Sequence, residues 1–152
     1  MSMIDDLLVM CDSTAMPTDG TGVLLGDYLD FGTGGYDAFK TAKTPDWAYG
    51  QPVYLVIKCE DEDFAGTSGA VVNIALRTSA ETTLNSSHTV LLTVVTDETP
   101  NDGDLIACVA VPQAAIKRYV GIWVDVDTQV LSAGKITAYL SPAPEMSIAA
   151  RK

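Results

Sequence analysis

The chain has 152 residues, 47% of them hydrophobic and 19% charged, a composition that suits one globular core and excludes a disordered chain. Acidic residues number 20 against 9 basic ones, for a formal charge of −11. That balance argues against nucleic acid and anionic membrane as partners, since both need neutralising Lys and Arg, and favours a basic partner surface.

No apolar run approaches the about 18 residues of a membrane span, and no basic segment with a long apolar stretch opens the chain, so neither a span nor a signal peptide is expected. Cys11, Cys59 and Cys108 are odd in number and far apart. They form no CxxC pattern, and each sits in or beside an apolar run. They read as small buried hydrophobes in a reducing compartment.

Residues 4–11, "IDDLLVMC", are a short apolar run. "STAMPTDGTG" (13–22) reads as loop, with Pro17, Gly20 and Gly22 as turn formers. "VLLGDYLDFG" (23–32) alternates as a strand, with Leu25, Leu29 and Phe31 on one parity and Tyr28 and Asp30 on the other. Residues 32–50 are the longest irregular stretch. They carry Tyr36, Phe39, Trp47 and Tyr49, and so many aromatics imply that this loop packs on its own domain or on a partner.

Period two then dominates. Strands are expected over 52–59, 70–79, 89–96, 105–112, 118–126 and 135–141. In the second of these Val72, Ile74, Leu76 and Thr78 form the core face. Between the strands lie an acidic turn "EDED" (60–63), the loop "AETTLNSSH" (80–88) and a second acidic turn "DETPNDGD" (97–104). "QAAIK" (113–117) has room for one helical turn. In "RYVGIWVDV" (118–126) parity puts Arg118, Val120, Ile122, Val124 and Val126 on a core face, and Tyr119, Gly121, Trp123 and Asp125 on the other. Two large aromatics around a glycine suggest a face closed by protein, either the 33–49 loop or a second copy. In 135–141, Ile136, Ala138 and Leu140 share one face and Lys135, Thr137, Tyr139 and Ser141 the other.

Eight short strands without a long helix point to an all-β, jelly-roll-like β-sandwich of about eight antiparallel strands. The domain is expected over 1–141, with 142–152, rich in proline, as a C-terminal extension.

The search for chemistry yields little. His88 is the single histidine, so multi-histidine zinc sites and the usual Ser-His triad are not built. The acidic turns do not have the spacing of a calcium loop and read as solvated turns that could meet a basic partner. No catalytic residue, cofactor or metal is expected, and the chain is not expected to be an enzyme.

Four places carry a family resemblance: "GDYLDFG" (26–32), "GQPVYLVIKC" (50–59), "VVNIALRTS" (71–79), and the pair "KRYVGIWVDV" and "SAGKITAYL" (117–126 and 132–140). In these the chain resembles the small jelly-roll cement, or decoration, proteins of podophage-type tailed-phage capsids. The resemblance implies a virion protein, made in the host cytoplasm, that docks on the outer surface of the major capsid protein shell and stabilises it, with a homodimer favoured. The residues themselves offer the interface candidates: Tyr119, Trp123, Tyr36, Phe39, Trp47, Tyr49, Glu60, Asp61 and Asp63. Two other classes stay open. One is a carbohydrate-binding or tail-associated sandwich using Trp47 and Trp123 as a platform. The other is a small hydrolase with a facing carboxylate pair.

Overall fold

The computed structural model describes residues 8–18, 20, 22–31, 52–112 and 116–141. Ten strands occur in this order: β1 (Val9–Ala15), β2 (Val23–Asp30), β3 (Tyr54–Cys59), β4 (Ala65–Gly66), β5 (Val71–Ser79), β6 (Thr89–Thr96), β7 (Leu105–Ala110), β8 (Tyr119–Asp127), β9 (Leu131–Ala133) and β10 (Lys135–Ser141). Eight of them build two four-stranded sheets, ordered β1-β10-β3-β7 and β2-β8-β5-β6, while β4 and β9 pair as a small ribbon. Every pairing is antiparallel. Among the eight long strands only the consecutive pair β5 and β6 are sheet neighbours, and every other step crosses to the opposite sheet. This is the jelly-roll arrangement expected from the sequence.

The core lies between the sheets. Leu55, Ile57, Ile136, Ala138 and Leu140 come from one, and Leu25, Val72, Ile74, Leu76, Val120, Ile122 and Val124 from the other. On β5 and β8 the alternation is as the sequence predicts: Val72, Ile74, Leu76, Val120, Ile122 and Val124 are fully buried. Asn73, Arg77 and Asp125 are only half-buried. Thr78 joins the core because its hydroxyl is satisfied, donating to Tyr119 O (3.0 Å) and accepting from Lys117 N (2.8 Å).

The two sides of the sandwich differ. At the first, β1 and β2 pack against each other. Gly26 makes this possible. It takes φ +72° inside a bulge, and a Cβ there would lie 2.6 Å from Cys11 Cβ. Only glycine lets β1 come so close. At the other side β6 and β7 make no comparable contact. Leu91, Leu92, Val94 and Ile106 reach the core from there but stay half-buried.

Several sequence expectations need correction. Ser13–Ala15 continue β1 and are not loop. The strand is broken by two register shifts, and the polar segment is held by Ser13 N donating to Thr137 Oγ1 at 2.9 Å. Arg118 is not a core residue. It stands just before β8, and its guanidinium pairs bidentately with Asp30 at 2.8 and 2.9 Å. Strand β10 does not alternate either, since residues 136–140 are all buried, Thr137 and Tyr139 included. Val56, opposite Tyr139, is buried too, so the centre of this sheet is covered on both faces. The expected turn at 113–117 and the C-terminal extension at 142–152 lie largely or wholly outside the described residues.

Cys11 and Cys59 are buried and Cys108 is half-buried, all as free thiols. Burial raises the Cys11 thiol from 9.0 to about 12. For Cys59 burial is again the main cause, with the carboxylates of Asp102, Asp63 and Asp104 adding to it, and the thiol moves to about 11.

Two outcomes follow from this packing. Replacing Ile122 by Ala, measured by urea unfolding, should cost about 2–5 kcal/mol, because the site is closed on all sides. The raised thiols make the fold sensitive to alkali. Cys11 contributes fully below its ordinary value of 9.0, and the contribution is lost as pH rises towards about 12. A Cys11→Ala variant should therefore show a shallower alkaline loss of stability than the parent when both are melted across that range.

Candidate functional site

Two surfaces collect the sequence-predicted residues, and neither is a cleft. The first is the outer face of the sheet β2-β8-β5-β6. Tyr119, Gly121, Trp123 and Asp125 point outward from β8 and are matched by Ser79, Arg77, Ala75 and Asn73 on β5. The Arg77 guanidinium stacks on the Trp123 ring, 4.3 Å from its centroid. Tyr28 meets Tyr119 edge-on at 5.2 Å, and Arg118 lies 4.9 Å from the Tyr119 ring. Such guanidinium–aromatic contacts combine dispersion with attraction to the negative ring face.

The gap between the aromatics is filled from within the chain. A Cβ at Gly121 would lie 2.5 Å from Leu84 Cδ1 and 3.0 Å from Leu24 Cδ1. Leu84 is fully buried although it sits in a polar loop. It adopts φ +53°, unusual for a branched side chain. The loop pays for that conformation with hydrogen bonds: Ser79 Oγ donates to Ser86 O (3.0 Å), Glu81 N to Ser79 Oγ (3.1 Å), Lys117 Nζ to Ser87 O (2.7 Å) and Ser86 Oγ to the Glu81 carboxylate. Among the described residues the notch at Gly121 is filled by Leu84 of the 80–88 loop and Leu24 of β2, and the 33–49 loop lies outside the described residues. Only one signal pointed to it, a lone leucine among small polar residues.

Burial lowers the Arg77 guanidinium below its ordinary value, and the nearby Asp125 carboxylate opposes this. Arg77 Nε and Asp125 Oδ1 are both buried atoms without a hydrogen-bond partner among the described residues. Arg77 Nη1 donates to Leu84 O at 3.4 Å, which ties the stacked cation to the loop.

The second surface is one end of the sandwich. The two acidic turns, separate in sequence, interlock there. Asp61 N donates to Asp102 Oδ1 at 2.8 Å, Asp102 N to Asp63 Oδ1 at 2.6 Å, and Ser13 Oγ to the Asp61 carboxylate. Phe64 N reaches Pro100 O at 2.8 Å, and Gly103 N reaches Cys59 O at 2.9 Å. Carboxylates accepting turn amides fix the shape, yet Glu60, Asp61, Glu62, Asp63, Asp102 and Asp104 all remain exposed. The result is a rigid, negatively charged tip. Among the described residues no group of three or more His, Cys, Asp or Glu side chains is placed to hold a metal ion.

Two shallow hollows border the strands. One of about 270 Å³ is lined by Gly20 and residues 126–130, and one of about 260 Å³ by Thr96, Thr99, Pro100, Asp104, Leu105 and Ile106. Both are smaller than usual small-molecule sites. Tyr36, Phe39, Trp47 and Tyr49 lie outside the described residues.

The family model described as Bbp16 matches residues 27–140, from the middle of β2 to the end of β10. The chain belongs to the Bbp16 family. Bbp16 is a phage-associated family, so both surfaces belong to a viral β-sandwich module. The match takes in β5, β8, the 80–88 loop and both acidic turns, and leaves out β1 and the first half of β2. No curated protein matches the chain.

The Leu84 plug gives a test of this face. Leu84→Ala should destabilise the isolated protein by about 2–5 kcal/mol in urea unfolding, as for a core leucine, despite its place in a loop. The intrinsic fluorescence of Trp123 should shift to the red as water reaches the ring. A change of less than about 0.5 kcal/mol, the size typical of surface positions, would show that the loop does not seal the face.

Proposed function

We propose that this protein is a structural component of a tailed-phage virion that binds the outer surface of the capsid and stabilises the shell of major capsid protein. It is not an enzyme and works without a cofactor. Membership of a phage-associated family across nearly the whole sandwich carries the reading. The resemblance of the strand motifs to capsid cement proteins gives it its direction. The acidic tip supplies a means of attachment: exposed carboxylates held rigid by their own turn amides can meet a basic capsid surface without paying much ordering entropy.

The carbohydrate-binding alternative is less well supported. A sugar platform needs an open aromatic ring, and one face of Trp123 is already taken by Arg77. Its proposed companion Trp47 lies outside the described residues.

Purified protein added to capsids stripped of surface proteins should co-sediment with them and appear on the outer face by cryo-electron microscopy. Raising salt from about 50 to about 500 mM should lower occupancy, because exposed charges are screened within a few ångströms at the upper end. A triple variant Glu60→Gln, Asp61→Asn, Asp63→Asn keeps acceptor oxygens in the turns. It should bind more weakly and lose most of the salt dependence. Absence of co-sedimentation at low salt would refute the capsid reading.

A further inference from the structure

We infer that the hollow under the β6–β7 connection is a socket for one lysine side chain of a partner protein. The inference rests on the capsid reading above for the identity of that partner, and it names the chemistry by which the acidic end holds it.

The hollow has a volume of about 260 Å³ and is lined by Thr96, Thr99, Pro100, Asp104, Leu105 and Ile106. It lies where the chain leaves β6 of one sheet and enters β7 of the other, at the acidic end of the sandwich. Its walls are fixed by hydrogen bonds. Pro100 O accepts from Phe64 N at 2.8 Å, Asp104 O accepts from Cys59 N at 2.9 Å, and Asp104 N donates to Asn101 O at 2.9 Å. Thr99 N donates to Asp97 Oδ1, also at 2.9 Å. A socket shaped before its occupant arrives costs little ordering entropy on binding.

The lining selects the occupant. The volume lies below the range of small-molecule sites and suits a single side chain. Pro100, Leu105 and Ile106 are half-buried and supply an apolar wall. The polar groups around it are acceptors. Asp104 Oδ2 accepts from Asn101 N at 2.9 Å, and among the described residues Asp104 Oδ1 has no hydrogen bond. The Thr99 hydroxyl donates its one proton to Asp97, so towards any further partner it can only accept. A lysine matches this set. Its aliphatic stem packs on the apolar wall, and its three N–H donors meet the Asp104 carboxylate and the Thr96 and Thr99 hydroxyls. Arginine matches less well, since its planar fork takes both oxygens of a carboxylate and Asn101 already holds one of them. Asp97, Glu98 and Asp102, on the same connection, add a negative field that draws a cation in.

Amide chemical shifts of the full chain, followed by NMR at low salt, test the socket. The probe is a blocked alanyl-lysyl-alanine tripeptide. It should shift the amides of Thr96, Thr99, Leu105 and Ile106 saturably. The same peptide with norleucine for lysine keeps most of the stem, loses the ammonium and should leave those amides unmoved. Asp104→Asn retains an acceptor oxygen for Asn101 and should abolish the shifts. Thr99→Lys sets the protein's own ammonium in the socket and should abolish them as well. On stripped capsids each of the two variants should bind about tenfold more weakly than the parent. Glu98→Gln makes the same charge change as Asp104→Asn outside the lining, and should weaken binding far less. A norleucine peptide that shifts the amides as the lysine peptide does would overturn the inference. So would an Asp104→Asn variant that binds lysine peptide and capsids like the parent. Shifts of the same amides on Arg151→Gln, Lys152→Gln substitution would assign the socket to the chain's own basic residues and overturn it too. Lysine-dependent shifts in a protein that fails to bind capsids support the socket and remove only the capsid reading.

Discussion

Strand β8 has to be covered on both faces, and most of the architecture follows from how that is done. Inward, Val120, Ile122, Val124 and Val126 require the opposing sheet. Outward, Tyr119 and Trp123 leave a notch at Gly121 that water would otherwise fill. A side chain on β8 itself would give only an outward-pointing methyl. The notch instead admits Leu84 from a loop closed on itself by side-chain and backbone hydrogen bonds, and Leu24 from β2. Gly22 belongs to the same solution, since a side chain there would collide with the Trp123 indole. The outer face thus becomes a second small core, roofed by Arg77. Its cation is stacked on Trp123, tethered to Leu84 O and balanced by Asp125.

That arrangement explains which parts were legible in the sequence. The eight long strands could be read because each has a clear period of two or a bounded apolar run, as in Val72–Ile74–Leu76. Their number and the absence of helix led to the jelly roll. The ribbon β4–β9 could not be read, because strands of two and three residues have no period. Ser13–Ala15 could not either, since a polar, bulged strand end looks like a turn until Thr137 is seen to receive it. On β10, Thr137 and Tyr139 were assigned outward by parity, correctly, but outward did not mean exposed there. Parity gives direction, and only the covering layer gives burial.

The interlocked acidic turns show the same limit. Their composition was plain, and each could be read alone as solvated. Their joining was not legible, because it depends on the β3–β4 and β6–β7 connections emerging at one end of the sandwich, a consequence of topology. Once together, each turn uses the other's carboxylates as caps for its own amides. Repulsion between the acids is partly offset by those charge-assisted hydrogen bonds, and the exposed oxygens are held in fixed positions. Asp61 in a left-handed conformation, φ +69°, is one mark of how tightly the tip is wound.

A jelly roll must dispose of four sheet edges, and this chain places its edge-strand charges on one side. There Gly26 lets β1 close over β2, and Asp12, Asp27 and Asp30 guard what remains. On the other side β6 and β7 are bulged as well, at Leu91 and Ile106, but carry no charge. Its half-buried Leu91, Leu92, Val94 and Ile106 lie behind an uncharged strand whose exposed residues are threonine and valine. For a protein of charge −11, solubility does not demand an apolar edge, and among the described residues β6 pairs with β5 alone. The asymmetry is one of charge, and it gathers exposed valines Val90, Val95 and Val109 on the uncharged side. Charge at one end, an aromatic face filled by Leu84 and Leu24, and an uncharged edge give the sandwich three surfaces of different chemistry.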